Sequence, residues 1–306
     1  MVCGRLFHAG TPVVLWTDAG GYDAYRVERR YGAWTNSSWE ATRAEGVGVD
    51  TPNRYGLRRE GLSASELEQV RGGGWDLPLL RRVVDQFVLH YDATGTSRRC
   101  FEVLQDRRGL SVHFMLDVDG TIYQTLDLKE RAWHATTSNS RSIGIEIAQA
   151  GAVPLAETQR LSAWYVPDRG GVTLQVSADM LGRGPGHGGF VGRPARPDLV
   201  LGTIQGIELA QYDFTPEQYA ALARLTATLC VVFPRIRCDF PRDGAGHLQA
   251  SKLPEAELRA FSGILGHYHI QTNKVDPGPA FDWDRYLAAT RRWLGRGSRR
   301  DALLER

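Results

Sequence analysis

The sharpest pattern of apolar and polar positions lies mid-chain. Ser142 to Ile147 alternates strictly, with Ile143, Ile145 and Ile147 on one side and Ser142, Gly144 and Glu146 on the other, which predicts a strand with one buried face. Gln86 to His90 is a short apolar run that predicts a buried strand ending in a histidine. Met115 to Val118 and Thr121 to Gln124 flank Asp119-Gly120, a pair suited to a two-residue type I′ hairpin because both residues tolerate positive φ. Val13 to Trp16 predicts one short strand within an otherwise irregular region spanning residues 1–75.

Helical signals frame these strands. Thr215 is an N-cap, Pro216 fits the first helical position, and Gln218 completes a capping box. Leu222, Leu225, Leu229 and Val232 then keep one face apolar until Pro234 closes the helix. Ser63-Ala64-Ser65-Glu66 opens a short helix, and a last helix is predicted from Trp283 to Leu294. Gly72-Gly73-Gly74 marks a boundary. Residues 151–212 are rich in glycine and proline, with strands expected at Val172–Val176 and Gly206–Ala210, and read as an inserted lobe of hairpins. Strands alternating with helices give a mixed α/β class. The expected organisation is an N-terminal extension packed on the core (1–78), a catalytic domain (79–294) carrying the insertion at 151–212, and a basic tail (295–306).

Composition narrows the classes. With 306 residues, 42% hydrophobic and 24% charged, the chain is long enough for one large domain or two small ones. The 37 basic and 35 acidic side chains leave a net charge of +2, which gives no ground for a nucleic-acid partner; the basic stretch Arg291 to Arg300 reads as a solvated helix end or tail. Cys3, Cys100, Cys230 and Cys238 form no C-x-x-C pair; Cys230 reads as core, and its pairing with Cys238 stays open, as does the redox compartment. No apolar run reaches the ~18–20 residues of a membrane span. Met1 to Phe7 lacks the pattern of a signal peptide, so a cytoplasmic location or a non-classical export route is expected, and a monomer.

Among eight histidines, His90 closes a strand, and His267 precedes Asp276 in a loop ending Asp276-Pro277-Gly278-Pro279, a stiff turn. Two imidazoles and a carboxylate suit a catalytic zinc, leaving a fourth position for a water whose pKa falls to about 7. On spacing alone, each also fits an ordinary satisfied polar group. Gly182 to Gly189 neither follows a strand nor opens a helix, so phosphate cradling is not expected there.

Six segments, in order, carry a family resemblance: F-V-L-H-Y-D-A-T (Phe87–Thr94), S-V-H-F-M-L-D-V-D-G-T-I-Y-Q (Ser111–Gln124), R-A-W-H-A (Arg131–Ala135), S-I-G-I-E-I (Ser142–Ile147), T-P-E-Q-Y-A-A-L (Thr215–Leu222) and G-H…K-V-D-P-G-P-A-F-D-W (Gly266–Trp283). Residues 84–150 and 212–284 thereby resemble the type 2 N-acetylmuramoyl-L-alanine amidases, the family that includes the peptidoglycan recognition proteins. The resemblance implies a central mixed β-sheet flanked by helices, here with a β-rich insertion. It implies zinc (Zn2+) held by His90, His267 and Asp276, His267 being chosen over His269 for the glycine before it. It implies Glu146 as acid–base residue, Lys274 as oxyanion stabiliser, and His134, with Trp133, at the substrate; His113 is expected to be structural. Aspartate as third ligand resembles the branch of the cytosolic anhydromuropeptide amidases, and Val112 stands where the cysteine branch has a tyrosine. The implied reaction is hydrolysis of the amide between the muramic acid lactyl group and L-alanine, with peptidoglycan or a muropeptide as partner and the bacterial wall as target. The alternatives are a non-catalytic peptidoglycan-binding module and a zinc amidase for a different amide.

Overall fold

The computed structural model describes residues 1–28, 38–44, 53–182 and 188–297. The readings that touch His187, the Gly-Pro-Gly run at 184–186 and the tail beyond 297 lie outside the described residues. In chain order the elements are β1 (Val13–Leu15), α1 (Trp39–Ala44), β2 (Tyr55–Leu57), α2 (Ala64–Arg71), α3 (Leu77–Val83), β3 (Gln86–Tyr91) and α4 (Ser97–Phe101). A π-helical turn (Glu102–Arg108) continues α4, followed by β4 (Phe114–Leu116), β5 (Ile122–Gln124), β6 (Glu130–Ala132) and β7 (Ser142–Ile147). The insertion holds β8 (Val153–Pro154), β9 (Tyr165–Asp168), β10 (Gly171–Val176), β11 (Phe190–Gly192), β12 (Val200–Ile204) and β13 (Ile207–Gln211). The chain closes with α5 (Pro216–Val232), α6 (Glu255–Ala260), β14 (Gly263–Gly266) and α7 (Trp283–Gly297).

Six strands form the central sheet in the order β1-β5-β4-β7-β3-β14. All neighbours run parallel except the β4–β5 hairpin, so the sheet is mixed. The alternation of β7 decides its two faces. Ile143, Ile145 and Ile147 enter the main core with Phe87 and Leu89 of β3 and with Leu222, Leu225, Leu229 and Val232 of α5. Helix α5 is held at its start by the Thr215–Gln218 capping box and beside α7 by a 2.7 Å hydrogen bond between Thr226 and Tyr286. Helices therefore cover the isoleucine face, and the face of Ser142, Gly144 and Glu146 is left for polar chemistry. The insertion is β-rich: β9, β10 and β11 form one antiparallel sheet, and β8, β13 and β12 another. No helix among the described residues is long and apolar enough to cross a membrane.

Two expectations change. The Asp119-Gly120 hairpin is not type I′, because only Gly120 has positive φ (85°). Gly120 N donates to Asp117 O at 3.0 Å and Asp117 N to Thr121 O at 2.8 Å, a type I turn with the glycine as an added bulge residue. The Asp119 carboxylate accepts from Thr121 N at 2.9 Å. The first 75 residues are also less irregular than their sequence suggests. β1 extends the central sheet beside β5, and β2 pairs with β6. Arg58 is fully buried; its guanidinium donates to the carbonyls of Leu128, Asn139, Ser140 and Ser142 at 2.9–3.2 Å. Burial lowers its pKa to about 9, yet its donors tie the loop at Leu128 to the segment Asn139–Ser142 that leads into β7. The pattern of apolar positions gives no sign of such a residue, because a buried arginine looks like any exposed one in sequence.

Replacing Arg58 with Met is expected to cost about 3 kcal/mol or more, because several buried carbonyls lose their donors. Urea denaturation of the variant measures it; an unchanged midpoint would show that water replaces the guanidinium freely.

Candidate metal and catalytic site

Three parallel strands deliver the polar residues at their carboxyl ends. β3 and β7 pair so that His90 lies opposite Glu146 on the face away from the isoleucines. β14 pairs with β3 on its other side, with Gly266 opposite Leu89, so His267 emerges one residue past the strand end. Ligand sites in sheets of parallel strands form in such crevices beyond the carboxyl ends. All seven residues expected at the site (His90, Trp133, His134, Glu146, His267, Lys274 and Asp276) line one cleft of about 310 Å3.

His90 Nδ1, His267 Nδ1 and Asp276 Oδ2 form a triangle with every side 3.0 Å. The three residues are buried. Donors on a tetrahedral ion with bonds of about 2.0–2.1 Å are about 3.3 Å apart, so this set fits a small cation of the zinc type. The outer nitrogens explain why the inner ones are free to ligate. His267 Nε2 lies 2.7 Å from Gln271 Oε1, which can only accept, so Nε2 carries the proton and Nδ1 keeps its lone pair. His90 Nε2 lies 3.0 Å from His134 Nδ1, and His134 Nε2 lies 3.2 Å from Ser142 Oγ. With each Nε2–H donating outward along this chain, His90 Nδ1 is also free. Burial, then the neighbouring His267, pushes His90 down to about 4, which keeps the ring neutral. Burial opposes ionisation of Asp276, but His267 and His90 hold its carboxyl below the usual range.

Glu146 lines the same cleft. Its Oε2 is enclosed with no hydrogen-bond partner, and burial, followed by Asp276 and Asp92, raises its pKa well above the usual carboxylate value. The Lys274 ammonium acts on it in the opposite direction. His134 supports His90 rather than standing alone in the cleft, a role the sequence did not suggest. Ser142 was visible on the Glu146 face but had no assigned partner.

Other polar residues support the site. Asp92 accepts from the backbone of Thr94, Gly95 and Gln149 at 2.9–3.0 Å, tying the end of β3 to the segment after β7; burial raises it to about 7. Of His267 and His269, only His267 joins His90 and Asp276 in a group that could hold a metal ion. His269 is buried with Nδ1 accepting from Gly266 N at 2.8 Å and Nε2 donating to Gln249 O at 2.7 Å, so neither nitrogen is free. His113 is structural as expected: it accepts from Gly144 N at 3.1 Å and donates to Glu130 O at 3.0 Å. The turn after Asp276 is gripped by Gln211 of β13, which donates to Pro277 O at 3.1 Å and accepts from Ala280 N at 3.0 Å.

The fold is thus a mixed α/β sheet in which two histidines and an aspartate that could hold a metal ion converge beyond the parallel strands. Residues 80–279 match the family Amidase_2, described as N-acetylmuramoyl-L-alanine amidase, and the chain belongs to that family. A curated relative, the 1,6-anhydro-N-acetylmuramyl-L-alanine amidase AmpD of Haemophilus influenzae, is 29% identical over 194 residues, covering 62% of this chain and 62% of the relative. The chain thus spans less than two thirds of that relative's length. Among solved structures, a selenomethionine AmpD derivative aligns at TM-score 0.35 and 19% identity over 77% of this chain and 89% of that one. AmiD from E. coli, in complex with the substrate anhydro-N-acetylmuramic acid-L-Ala-D-γ-Glu-L-Lys, aligns at TM-score 0.35 and 19% identity over 67% of this chain and 57% of that one.

A methyl group on Gly144 would meet the His134 ring at 2.5 Å. Gly144→Ala is therefore expected to displace His134 from His90 and to destabilise the fold by about 1–3 kcal/mol. The ring-nitrogen resonances of His90 and His134 report the displacement; unchanged resonances would mean that the strand shifts instead.

Proposed function

We propose that this chain is a zinc-dependent N-acetylmuramoyl-L-alanine amidase. Its substrate would be peptidoglycan or a muropeptide, cut at the amide joining the muramic acid lactyl group to L-alanine. The observation that carries the reading is the 3.0 Å triangle of His90, His267 and Asp276 in a cleft shared with Glu146, in a chain of the Amidase_2 family. Family membership supports the bond; the donor set supports the metal, since neutral imidazole nitrogens and a carboxylate oxygen are the ligands zinc takes.

His90, His267 and Asp276 would hold the ion, which when bound supplies Lewis acidity and eases deprotonation of water. Glu146 accepts the proton of the attacking water and hands it to the alanine nitrogen as the C–N bond breaks. Its raised pKa makes it a stronger base toward the attacking water than an ordinary carboxylate. Lys274 faces the oxyanion that develops on the lactyl carbonyl. Trp133, half-buried on the cleft wall, offers an aromatic face to substrate, and His134 has its ring committed to His90. In this reading residues 79–294 carry catalysis, and the extension and insertion brace them.

The decisive measurement is zinc content together with mass-spectrometric product analysis on muropeptides. His90→Ala is expected to lose both zinc and activity. Glu146→Gln is expected to retain zinc while kcat falls about 10²–10⁴-fold. Wall binding without release of stem peptide would replace the enzyme by a binding module, and cleavage of some other amide would replace the substrate.

A further inference from the structure

One of the side chains by which the insertion reaches the metal-ligand loop belongs to a residue in an unfavourable backbone conformation. The β12–β13 hairpin turns at Gln205-Gly206, with φ of +55° and +76°, the left-handed pair of a two-residue type I′ turn. Glycine, asparagine or aspartate favours the first of these positions; glutamine does not. A residue kept in a poorly populated conformation points to a constraint elsewhere. Here the constraint is the side-chain amide. Its Nε2 donates to Tyr268 O at 2.8 Å and to Gln271 O at 2.9 Å, and its Oε1 accepts from Lys252 N at 3.1 Å. Both amide hydrogens thus end on the backbone just after His267. Gln271, whose carbonyl is fixed in this way, is the residue whose Oε1 accepts the outer hydrogen of the His267 ring at 2.7 Å.

We infer that Gln205 is a positioning residue for the metal site, acting through Gln271 to fix the ring orientation and tautomer of His267. This rests on the reading of His90, His267 and Asp276 as zinc ligands. The insertion thereby supports two ligands at once. Its hairpin tip holds the turn behind His267, while Gln211 at the other end of β13 holds the turn behind Asp276. A turn-building role alone makes the opposite prediction for substitution. Glycine and asparagine both suit the type I′ turn better, and asparagine is one methylene too short for the two carbonyls.

The test uses the full chain with Gln205→Gly and Gln205→Asn, measuring zinc affinity by chelator competition, the absorption spectrum of the cobalt-substituted protein, and the melting temperature. The expected result is zinc binding weakened about 10–100-fold and an altered cobalt spectrum, with Tm unchanged or raised. Combining Gln205→Gly with Gln271→Leu is expected to weaken zinc less than the sum of the single effects, because both act on one ring. Wild-type affinity and spectrum in both Gln205 variants would overturn the inference while leaving the metal site intact. A wild-type chain that binds no zinc removable by His90→Ala would overturn the metal reading, and this inference with it.

Discussion

The site depends on the register of three parallel strands. Because β3 pairs with β7 at His90 opposite Glu146, and with β14 at Leu89 opposite Gly266, His90, Glu146 and His267 arise together at the carboxyl end of the sheet. Side chains on a strand alternate between faces, so a slip of one residue would send Glu146 into the apolar core and an isoleucine into the cleft. Ile143, Ile145 and Ile147 prevent that slip, since all three are buried against β3 and α5. The same alternation that builds the core therefore aims the polar residues.

Around this register, buried polar groups meet partners that fix them. Arg58 joins the carbonyl of Leu128 to those of Asn139, Ser140 and Ser142 at the start of β7, and Asp92 ties the end of β3 to the chain beyond β7. His134 and Gln271 take the outer nitrogens of the two imidazoles. Each interaction is an ordinary hydrogen bond, but in a dry interior an unmade one is costly, so the groups lock one another into a single arrangement. A histidine with one nitrogen committed has little choice left at the other, which is how two imidazoles can be held ready for the proposed metal.

Electrostatics in the cleft follows from the same enclosure. Burial keeps His90 neutral and raises Glu146, whereas the imidazoles hold Asp276 ionised despite its burial. Two carboxylates in one cleft are thus shifted in opposite directions, because Asp276 lies against two imidazoles and Glu146 has an enclosed oxygen with no partner. The proposed reaction uses that separation, with one carboxylate to bind and one to move a proton.

Much of the fold could be read from the chain directly. Strict alternation in Ser142–Ile147 gave both the strand and its faces, and the Thr215–Gln218 capping box gave the start of α5, because these signals are local and depend on backbone geometry alone. The motifs around His90, His267 and Asp276 named the residues that meet in one cleft. Sequence did not determine the company those residues keep. The roles of Ser142, Gln271 and Gln205, the buried state of Arg58, the exclusion of His269 and the bulged turn at Gly120 all rest on contacts between distant segments. A side chain's partner is fixed by how strands pair and loops dock; one residue's identity carries no record of that, and only the tertiary structure supplies it.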